Sequence, residues 1–83
     1  MKVAVKYFAS IREALGKGAE SIETSAQSAG ALRDELIARG GAYAQALARG
    51  KSVRIAVHQV MGDDAAKLEE GCEVAFFPPV TGG

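Results

Sequence analysis

The sequence predicts an α+β fold in which a mixed β-sheet wraps one side of a single main helix. Apolar, strand-like segments lie at both ends of the 83-residue chain, at residues 2–9 and 72–77, and an amphipathic helical segment follows Ser28 between them. Because a helix separates them, the first and last strands can pair in parallel, and their long apolar stretches place both near the centre of the sheet.

The first third of the chain predicts a hairpin-like pair of strands around a short helix. Residues 2–9 (KVAVKYFA) alternate apolar and polar side chains, as a half-buried strand does. One or two helical turns fit residues 10–18, which end in the sequence GKG. Residues 19–24 (AESIET) predict a second short strand that carries Ile22 inward.

The middle of the chain predicts the main helix. Apolar side chains recur at helical spacing after Ser28 and form one stripe, made of Ala29, Leu32, Leu36 and Ile37. Arg33 is predicted to lie off this stripe, and Gly40 and Gly41 are predicted to end the helix. Residues 42–51 (AYAQALARGK) add a weaker helical turn.

The last third of the chain predicts the remaining strands. Residues 52–60 (SVRIAVHQV) alternate as a strand does, and residues 72–77 (CEVAFF) form the final strand. Residues 61–71 (MGDDAAKLEEG) predict turns and irregular chain, with room for one short strand and with Leu68 as the apolar anchor. The predicted core consists of Val3, Val5, Tyr7, Ile22, Val53, Ile55, Val57, Val74 and Phe76 of the sheet, packed against Leu32, Leu36 and Ile37 of the helix.

Composition excludes several classes of partner and location. Ten Lys and Arg balance ten Asp and Glu without a basic run, so neither nucleic acid nor a membrane is expected as a partner. The N-terminal apolar run is too short for a signal peptide or a transmembrane helix. The single cysteine, Cys72, can form no intrachain disulfide, and the sequence therefore predicts a cytoplasmic location.

The polar side chains predict no metal or catalytic site. His58 is the only histidine, and a surface position on a strand is the preferred interpretation. Asp63 and Asp64 fit a turn better than a pair of catalytic carboxylates. Cys72 is interpreted as an inert residue.

The C-terminal sequence EVAFFPPVTGG predicts two parts, a folded domain at residues 1–77 and an extended tail at residues 78–83. The two prolines donate no backbone hydrogen bond and fix φ at about −65°, so the last strand must stop before them. Six residues at about 3.3 Å each can reach about 20 Å. The two final glycines have no side chain, so the end of the chain can pass a narrow channel in another protein.

Three segments together resemble a known family: FA…REALG after the first strand, LRDEL in the main helix and LEEGCEVAFFPPVTGG at the C-terminus. The chain closely resembles the small subunits of molybdopterin synthase, which are sulfur carriers with the ubiquitin-like β-grasp fold. The likeness covers essentially the whole chain and is most specific at the C-terminus. His58 and Cys72 depart from the family pattern, which commonly shows asparagine and aspartate at these two positions.

The resemblance implies that the end of the chain carries the function. An activating enzyme would use ATP to adenylate the Gly83 carboxylate, and a sulfur donor acting through that enzyme would convert it to a thiocarboxylate. Within the large subunit of a heterotetrameric synthase, Gly83 would give its sulfur to a pyranopterin precursor, and Gly82 would pass the channel. The active site is expected on the large subunit, and the chain itself is expected to bind no cofactor and no metal.

Strand parity predicts where partners dock. If Val74 and Phe76 point inward, then Ala75 and Phe77 point to the outer face of the sheet. The same face is predicted to carry Lys2, Lys6, Phe8, Arg54 and His58. An apolar centre with a basic edge is typical of an interface. The residues predicted to bind partners are therefore Phe8 and Phe77, together with Pro78, Pro79, Val80 and Thr81 of the tail. Alternatively, Phe8 closes one end of the core.

Two other functions remain open. A ubiquitin-like protein modifier would use the same activated Gly83 to form an isopeptide bond with a lysine of a target protein. The AFFPPVTGG tail favours the sulfur carrier, because tails of the ubiquitin type are usually basic and lack proline. A plain β-grasp binding module is the third interpretation, and it predicts that the diglycine is dispensable.

Overall fold

The computed structural model describes residues 1–79, which form five strands and three helices. In chain order these elements are β1 (Lys2–Tyr7), α1 (Ala9–Leu15), β2 (Ala19–Glu23), α2 (Ala29–Ile37), α3 (Gly41–Ala46), β3 (Arg54–Val57), β4 (Val60–Gly62) and β5 (Glu73–Phe77). Within residues 1–79, no helix is long and apolar enough to span a bilayer.

The five strands form one mixed sheet in the order β2-β1-β5-β3-β4. β1 and β5 pair in parallel, with Val5 opposite Val74 and Tyr7 opposite Phe76, which confirms the pairing predicted for the two end strands. β2 runs antiparallel to β1, as predicted for the hairpin-like pair around α1. Parallel pairing brings the C-terminal ends of β1 and β5 to the same edge of the sheet.

One face of the sheet packs on the helices and forms the core, which confirms the predicted α+β architecture. The nine predicted core residues that are at most 4% exposed are Val3, Val5, Tyr7, Ile22, Leu32, Leu36, Ile55, Val74 and Phe76. The other three, Ile37, Val53 and Val57, are only partly buried and lie at the margin of the cluster. Leu68 is buried and anchors the segment between β4 and β5, as predicted.

The main helix, α2, begins where the sequence predicts and ends earlier. The Ser28 side chain accepts a hydrogen bond from the backbone N–H of Ala31 at 3.2 Å, which is the usual capping arrangement. α2 ends at Ile37, before the predicted glycines. Gly40, with φ of 77°, instead precedes α3, and Gly41 is the first residue of that helix.

Arg33, which the sequence places off the apolar stripe, is only 5% exposed. Its Nε donates to the carbonyl oxygen of Leu47 at 2.8 Å, and its Nη2 donates to the carbonyl oxygens of Ala48 at 2.7 Å and Lys51 at 3.1 Å. The end of a helix leaves carbonyl groups without intrahelical partners, and the guanidinium supplies donors to those that follow α3. The predicted position of Arg33 off the buried face is therefore wrong. The guanidinium can be buried because carbonyl groups elsewhere in the chain accept its hydrogen bonds. Burial lowers the pKa of the Arg33 guanidinium below its usual range.

The predicted strand at residues 52–60 is interrupted by a tight turn. His58 and Gln59 have φ of 51° and 66°, and they connect β3 to β4 as a two-residue hairpin. Hairpin turns with two positive φ angles match the twist of the flanking strands. The interpretation of His58 as a strand residue is therefore wrong, although the side chain is exposed as predicted.

A carboxylate joins the sheet edge to the helices. Glu20 of β2 accepts hydrogen bonds from the hydroxyl groups of Tyr7 at 2.8 Å and Tyr43 at 2.7 Å. Arg39, just after α2, donates to the other oxygen of the same carboxylate at 3.2 Å. The Glu20 side chain, which is 17% exposed, thus links β2 to β1, to α3 and to the segment after α2.

Candidate functional site

The described part of the tail lies against the domain. β5 ends at Phe77, as expected before two residues that cannot donate to the sheet. Pro78 and Pro79 are half-buried and line a shallow groove together with Ile11 and Ala14 of α1. The opposite wall of the groove is formed by Ala46 and residues 51–53. The reach of about 20 Å counted from Pro78 is therefore an upper limit.

The remaining tail residues lie outside the described range. These are Val80 and Thr81, which the sequence assigns to partner binding, and Gly82 and Gly83, which it assigns to the chemistry. Their roles stay predictions.

Two aromatic rings stand beside the root of the tail. The rings of Phe8 and Phe77 meet edge to face, with centroids 6.2 Å apart and planes inclined at 82°. Phe8 is 45% exposed, whereas Phe77 is half-buried. The backbone N–H of Phe8 donates to the carbonyl oxygen of Phe76 at 3.1 Å, which extends the pairing of β1 and β5 to this edge. The two residues predicted to dock partners thus lie together on one surface.

The outer face of the sheet has a second apolar element that the sequence analysis missed. Lys6, Ala75, Ala56 and Met61 are successive partners across β1, β5, β3 and β4, so their side chains share the outer face. Met61 is 52% exposed. The sequence predicts irregular chain at Met61, but the structure places it in β4. The turn is His58-Gln59 and not Asn-Gly or Asp-Gly, so the sequence carries no strong signal for this hairpin.

The centre of this face is less exposed than strand parity suggests. Ala75 and Ala56 are 7% and 6% exposed, because small side chains are covered by their larger neighbours. The apolar surface of this face is instead supplied by Phe8 and Met61, which are exposed, and by Phe77, which is half-buried. We call these three residues the outer apolar patch.

The charged groups around the patch are of both signs. Arg54 is exposed and is paired in register with Phe77, whereas Lys2 is exposed at the other end of β1 and lies away from the patch. Lys6 forms an ion pair with Glu73 at 3.2 Å, so part of the predicted basic edge is neutralised within the domain. His58 lies in the hairpin turn and is not part of a strand on this face.

The other polar residues considered as candidate sites, Asp63, Asp64 and Cys72, form local contacts or are buried. Asp63 accepts a hydrogen bond from the backbone N–H of Ala65 at 2.9 Å, which confirms the predicted turn. Asp64 pairs with Arg49. Cys72 is 1% exposed. Among residues 1–79, no three His, Cys, Asp or Glu side chains are grouped to hold a metal ion.

Known sequences match this chain over nearly its full length. Residues 5–83 match the sequence profile of the ThiS family. The molybdopterin synthase sulfur carrier subunit of Escherichia coli K12 is 40% identical over 81 residues, which cover 98% of this chain and 99% of the relative. The protein of the same name from Haemophilus influenzae is 39% identical over 79 residues, which cover 95% of this chain and 96% of the relative.

Solved structures agree on the fold. A putative molybdopterin converting factor, subunit 1, from Pyrococcus furiosus has a TM-score of 0.78 and 28% identity, covering 96% of this chain and 99% of that one. A chain of the complex of subunits 1 and 2 of molybdopterin-converting factor from Helicobacter pylori has a TM-score of 0.70 and 25% identity, with both chains covered completely.

SAMP1 from Haloferax volcanii is similar in fold as well. It has a TM-score of 0.77 with 22% identity, and both chains are covered completely. At this level of identity the likeness shows the β-grasp fold alone.

Proposed function

This chain belongs to the ThiS family, and we propose that it is the sulfur carrier subunit of a molybdopterin synthase. The observation that carries the proposal is the name shared by the two curated relatives, which are 39% and 40% identical over nearly their full length. The tail sequence EVAFFPPVTGG supports it, because side-chain-free residues at the end of a stiff segment suit entry into a partner.

The proposed chemistry takes place at Gly83. A carboxylate is a poor electrophile, so an oxygen of the Gly83 carboxylate first attacks the α-phosphorus of ATP on an activating enzyme and displaces pyrophosphate. A persulfide sulfur then attacks the acyl-adenylate carbonyl and AMP leaves. A thiol cleaves the resulting S–S bond and leaves a thiocarboxylate, whose sulfur is a better nucleophile than a carboxylate oxygen. The chain binds no cofactor in this scheme, and ATP belongs to the activating enzyme.

The large subunit of the synthase is the proposed recipient of the sulfur. The Helicobacter pylori structure is a complex of subunits 1 and 2 of molybdopterin-converting factor, which supports a two-subunit assembly for this chain. We expect a heterotetramer in the cytoplasm, with the active site on the large subunit and the sulfur donor acting through the activating enzyme.

The outer apolar patch is the proposed docking surface for both protein partners. Its two rings lie next to the root of the tail, so a partner that covers Phe8 and Phe77 also meets Pro78 and Pro79. Val80 and Thr81 are proposed to contact the partner further along, and Gly82 to pass the narrowest part of its channel.

A ubiquitin-like modifier is the alternative. It would share the fold, the activation by ATP and the terminal glycine, but its activated carbonyl would be attacked by a lysine of a target protein. The likeness to SAMP1 does not favour it, because that likeness shows the fold alone.

The test is a reconstitution with purified components. The chain is incubated with the activating enzyme, ATP and a sulfur donor, and its intact mass is measured. We expect a mass increase equal to the replacement of one oxygen by sulfur, followed by molybdopterin formation when the large subunit and precursor are added. A lysine-linked adduct as the main product would favour the modifier, and activity that survives removal of the diglycine would favour a binding module.

A further inference from the structure

The sulfur-bearing side chains of this protein differ in their exposure to solvent. The sequence contains three of them, Met1, Met61 and Cys72. Cys72 is 1% exposed, and burial protects a thiol from oxidants. Met1 is partly buried and packs against the core cluster. Met61, on β4, is 52% exposed, so its thioether is the sulfur group that a solute reaches most easily.

The neighbours of Met61 in the sheet leave its side chain uncovered. β4 is an edge strand of the sheet that residues 1–79 form, so Met61 has a neighbouring strand on one side only. On that side its row continues through Ala56 and Ala75, whose side chains are too short to reach over a methionine. An oxidant can therefore approach the thioether both from the outer face and from the edge of the sheet.

Hydrogen peroxide is an oxidant that fits an exposed thioether. A lone pair of the Met61 sulfur attacks one peroxide oxygen and the O–O bond breaks. The proton on the attacked oxygen passes to the leaving oxygen, which departs as water. The sulfur is oxidised by two electrons to a sulfoxide, and the peroxide is reduced. An apolar side chain thereby becomes a polar one that carries a hydrogen-bond acceptor.

We infer that Met61 is a modification site within the docking surface, and that its conversion to the sulfoxide weakens binding of the protein partners. The outer apolar patch has three members, so one polar replacement changes a large part of its apolar surface. A partner that covers Met61 would bury the sulfoxide oxygen, and burial of a polar group without a hydrogen-bond partner is unfavourable. The inference concerns regulation of the proposed docking surface and rests on the proposed function for this consequence.

The first test locates the oxidised sulfur. The chain is treated with hydrogen peroxide while Gly83 is an ordinary carboxylate, because a thiocarboxylate would itself react. The peroxide is then removed with catalase, and peptides are analysed by mass spectrometry. We expect the peptide that contains Met61 to gain one oxygen before those that contain Met1 or Cys72. Faster oxidation of either of these two residues would overturn the inference.

The second test measures docking of the oxidised chain. Isothermal titration calorimetry with the large subunit should give a Kd about tenfold higher after oxidation of Met61. Methionine sulfoxide reductases for both sulfoxide epimers, supplied with dithiothreitol, should restore the original Kd. In that step the dithiol is oxidised to a disulfide, and the sulfoxide oxygen leaves as water. An unchanged Kd for the fully oxidised chain would overturn the inference.

Two variants assign the effect to Met61. Met61→Leu has no thioether and should give the same Kd before and after peroxide treatment. It retains Met1 and Cys72, so a tenfold peroxide effect on Met61→Leu would place the responsible sulfur elsewhere and overturn the inference. Met61→Gln introduces a polar side chain without oxidation and should weaken binding before any treatment.

Val60→Gln is the matched control for Met61→Gln. Val60 is 68% exposed on the same strand, but it pairs with Val57 and faces the other side of the sheet. The control should leave the Kd unchanged. Equal weakening by Val60→Gln and Met61→Gln would overturn the inference, because it would show no dependence on the outer face.

Failure of the proposed function would give a different result. If the untreated chain formed no thiocarboxylate with the activating enzyme, the proposed function would be rejected, while preferential oxidation of Met61 would still support the modification site. If the untreated chain formed thiocarboxylate and the oxidised chain bound the large subunit with the same Kd, the inference would be overturned and the proposed function would stand.

Discussion

Phe8 and Phe77 meet edge to face at a centroid separation of 6.2 Å, although one follows the first strand and the other ends the last. The parallel pairing of β1 with β5 causes this meeting, because it brings the C-terminal ends of both strands to one edge of the sheet. The tail begins at the same edge, so the two rings lie next to its first residues, Pro78 and Pro79.

The aromatic pair should contribute to docking more than to folding. We expect Phe77→Ala to weaken binding to the large subunit and to the activating enzyme by about 2 kcal/mol, or about thirtyfold in Kd, as for a central aromatic contact. Isothermal titration calorimetry measures this. Val60→Ala is the control, because Val60 is 68% exposed on β4 but pairs with Val57 and so faces the other side of the sheet. Unchanged affinity of Phe77→Ala for both partners would contradict the docking proposal.

Phe8 has the alternative role of closing one end of the core. Its 45% exposure favours the surface role, so Phe8→Ala should lower the free energy of unfolding by less than about 1.5 kcal/mol. A buried phenylalanine loses about 3 to 5 kcal/mol on the same change, and a loss of that size in urea denaturation would assign Phe8 to the core.

Leu36 tests the core itself. It is fully buried on α2, and Leu36→Ala should lower the free energy of unfolding by about 2 to 5 kcal/mol, through lost burial and the cavity left behind. Urea titration followed by circular dichroism measures the loss. Leu15→Ala is the control, because Leu15 is only partly buried against the same cluster and should cost less. Equal losses for the two variants would contradict the packing described here.

The residues that were predicted correctly are those whose positions follow from periodicity. Leu32 and Leu36 recur on one helical face, and Val74 and Phe76 alternate on one strand, so local spacing alone assigns them to the core. Arg33 could not be assigned in this way. Its burial depends on carbonyl groups 14 to 18 residues further along the chain, and spacing on α2 carries no information about them.

Met61 was missed for a different reason. Its exposure on the outer face depends on the hairpin between β3 and β4, and that turn lacks the Asn-Gly or Asp-Gly sequence that usually marks two positive φ angles. The end of β5 at Phe77, by contrast, was predictable, because the two prolines that follow it cannot donate hydrogen bonds to the sheet, whatever the tertiary context.

The effect of the His58-Gln59 turn on stability can be tested by substitution. His58 has φ of 51°, a conformation that asparagine adopts more readily than histidine. We expect His58→Asn to raise the free energy of unfolding by up to about 1 kcal/mol, because the strain at this position is reduced. Thermal unfolding monitored by circular dichroism measures the change. Lys67→Asn, at an exposed position outside the turn, should give no gain, and an equal gain there would point to a cause other than the turn.

The Glu20 carboxylate should make stability depend on pH. Burial raises the pKa of Glu20, but hydrogen bonds from Tyr43, Tyr7 and Arg39 outweigh this effect and hold the pKa below its ordinary value. A lowered pKa in the folded state stabilises the protein above the unfolded-state value of about 4.3, and the stabilisation is lost as the pH falls through the folded-state pKa. The hydrogen bonds therefore support the charged form at neutral pH.

Glu20→Gln isolates this contribution. At pH 7 the variant should be less stable by about 1.5 to 3 kcal/mol, the range for hydrogen bonds to a charged group. The difference between the two proteins should shrink as the pH falls below about 4.3. Glu13→Gln, at an exposed position of α1, is the control. A difference that stays constant from pH 7 to pH 3 would show that the Glu20 charge does not contribute.

The terminal glycine gives the most direct prediction about function. Because Pro78 and Pro79 are half-buried against the domain, the length available beyond them is at most four residues, or about 13 Å when fully extended. Deletion of Gly83 shortens this reach by about 3.3 Å. A misplacement of about 1 Å can cost on the order of a hundredfold in rate, so the shortened chain should fold normally and fail to form thiocarboxylate. Gly82→Ala should fail less completely, because its methyl group hinders passage without removing reach.

Intact mass after incubation with the activating enzyme, ATP and a sulfur donor measures the first step, and molybdopterin formation with the large subunit measures the second. Equal yields from the intact and shortened chains in both assays would reject Gly83 as the reacting residue.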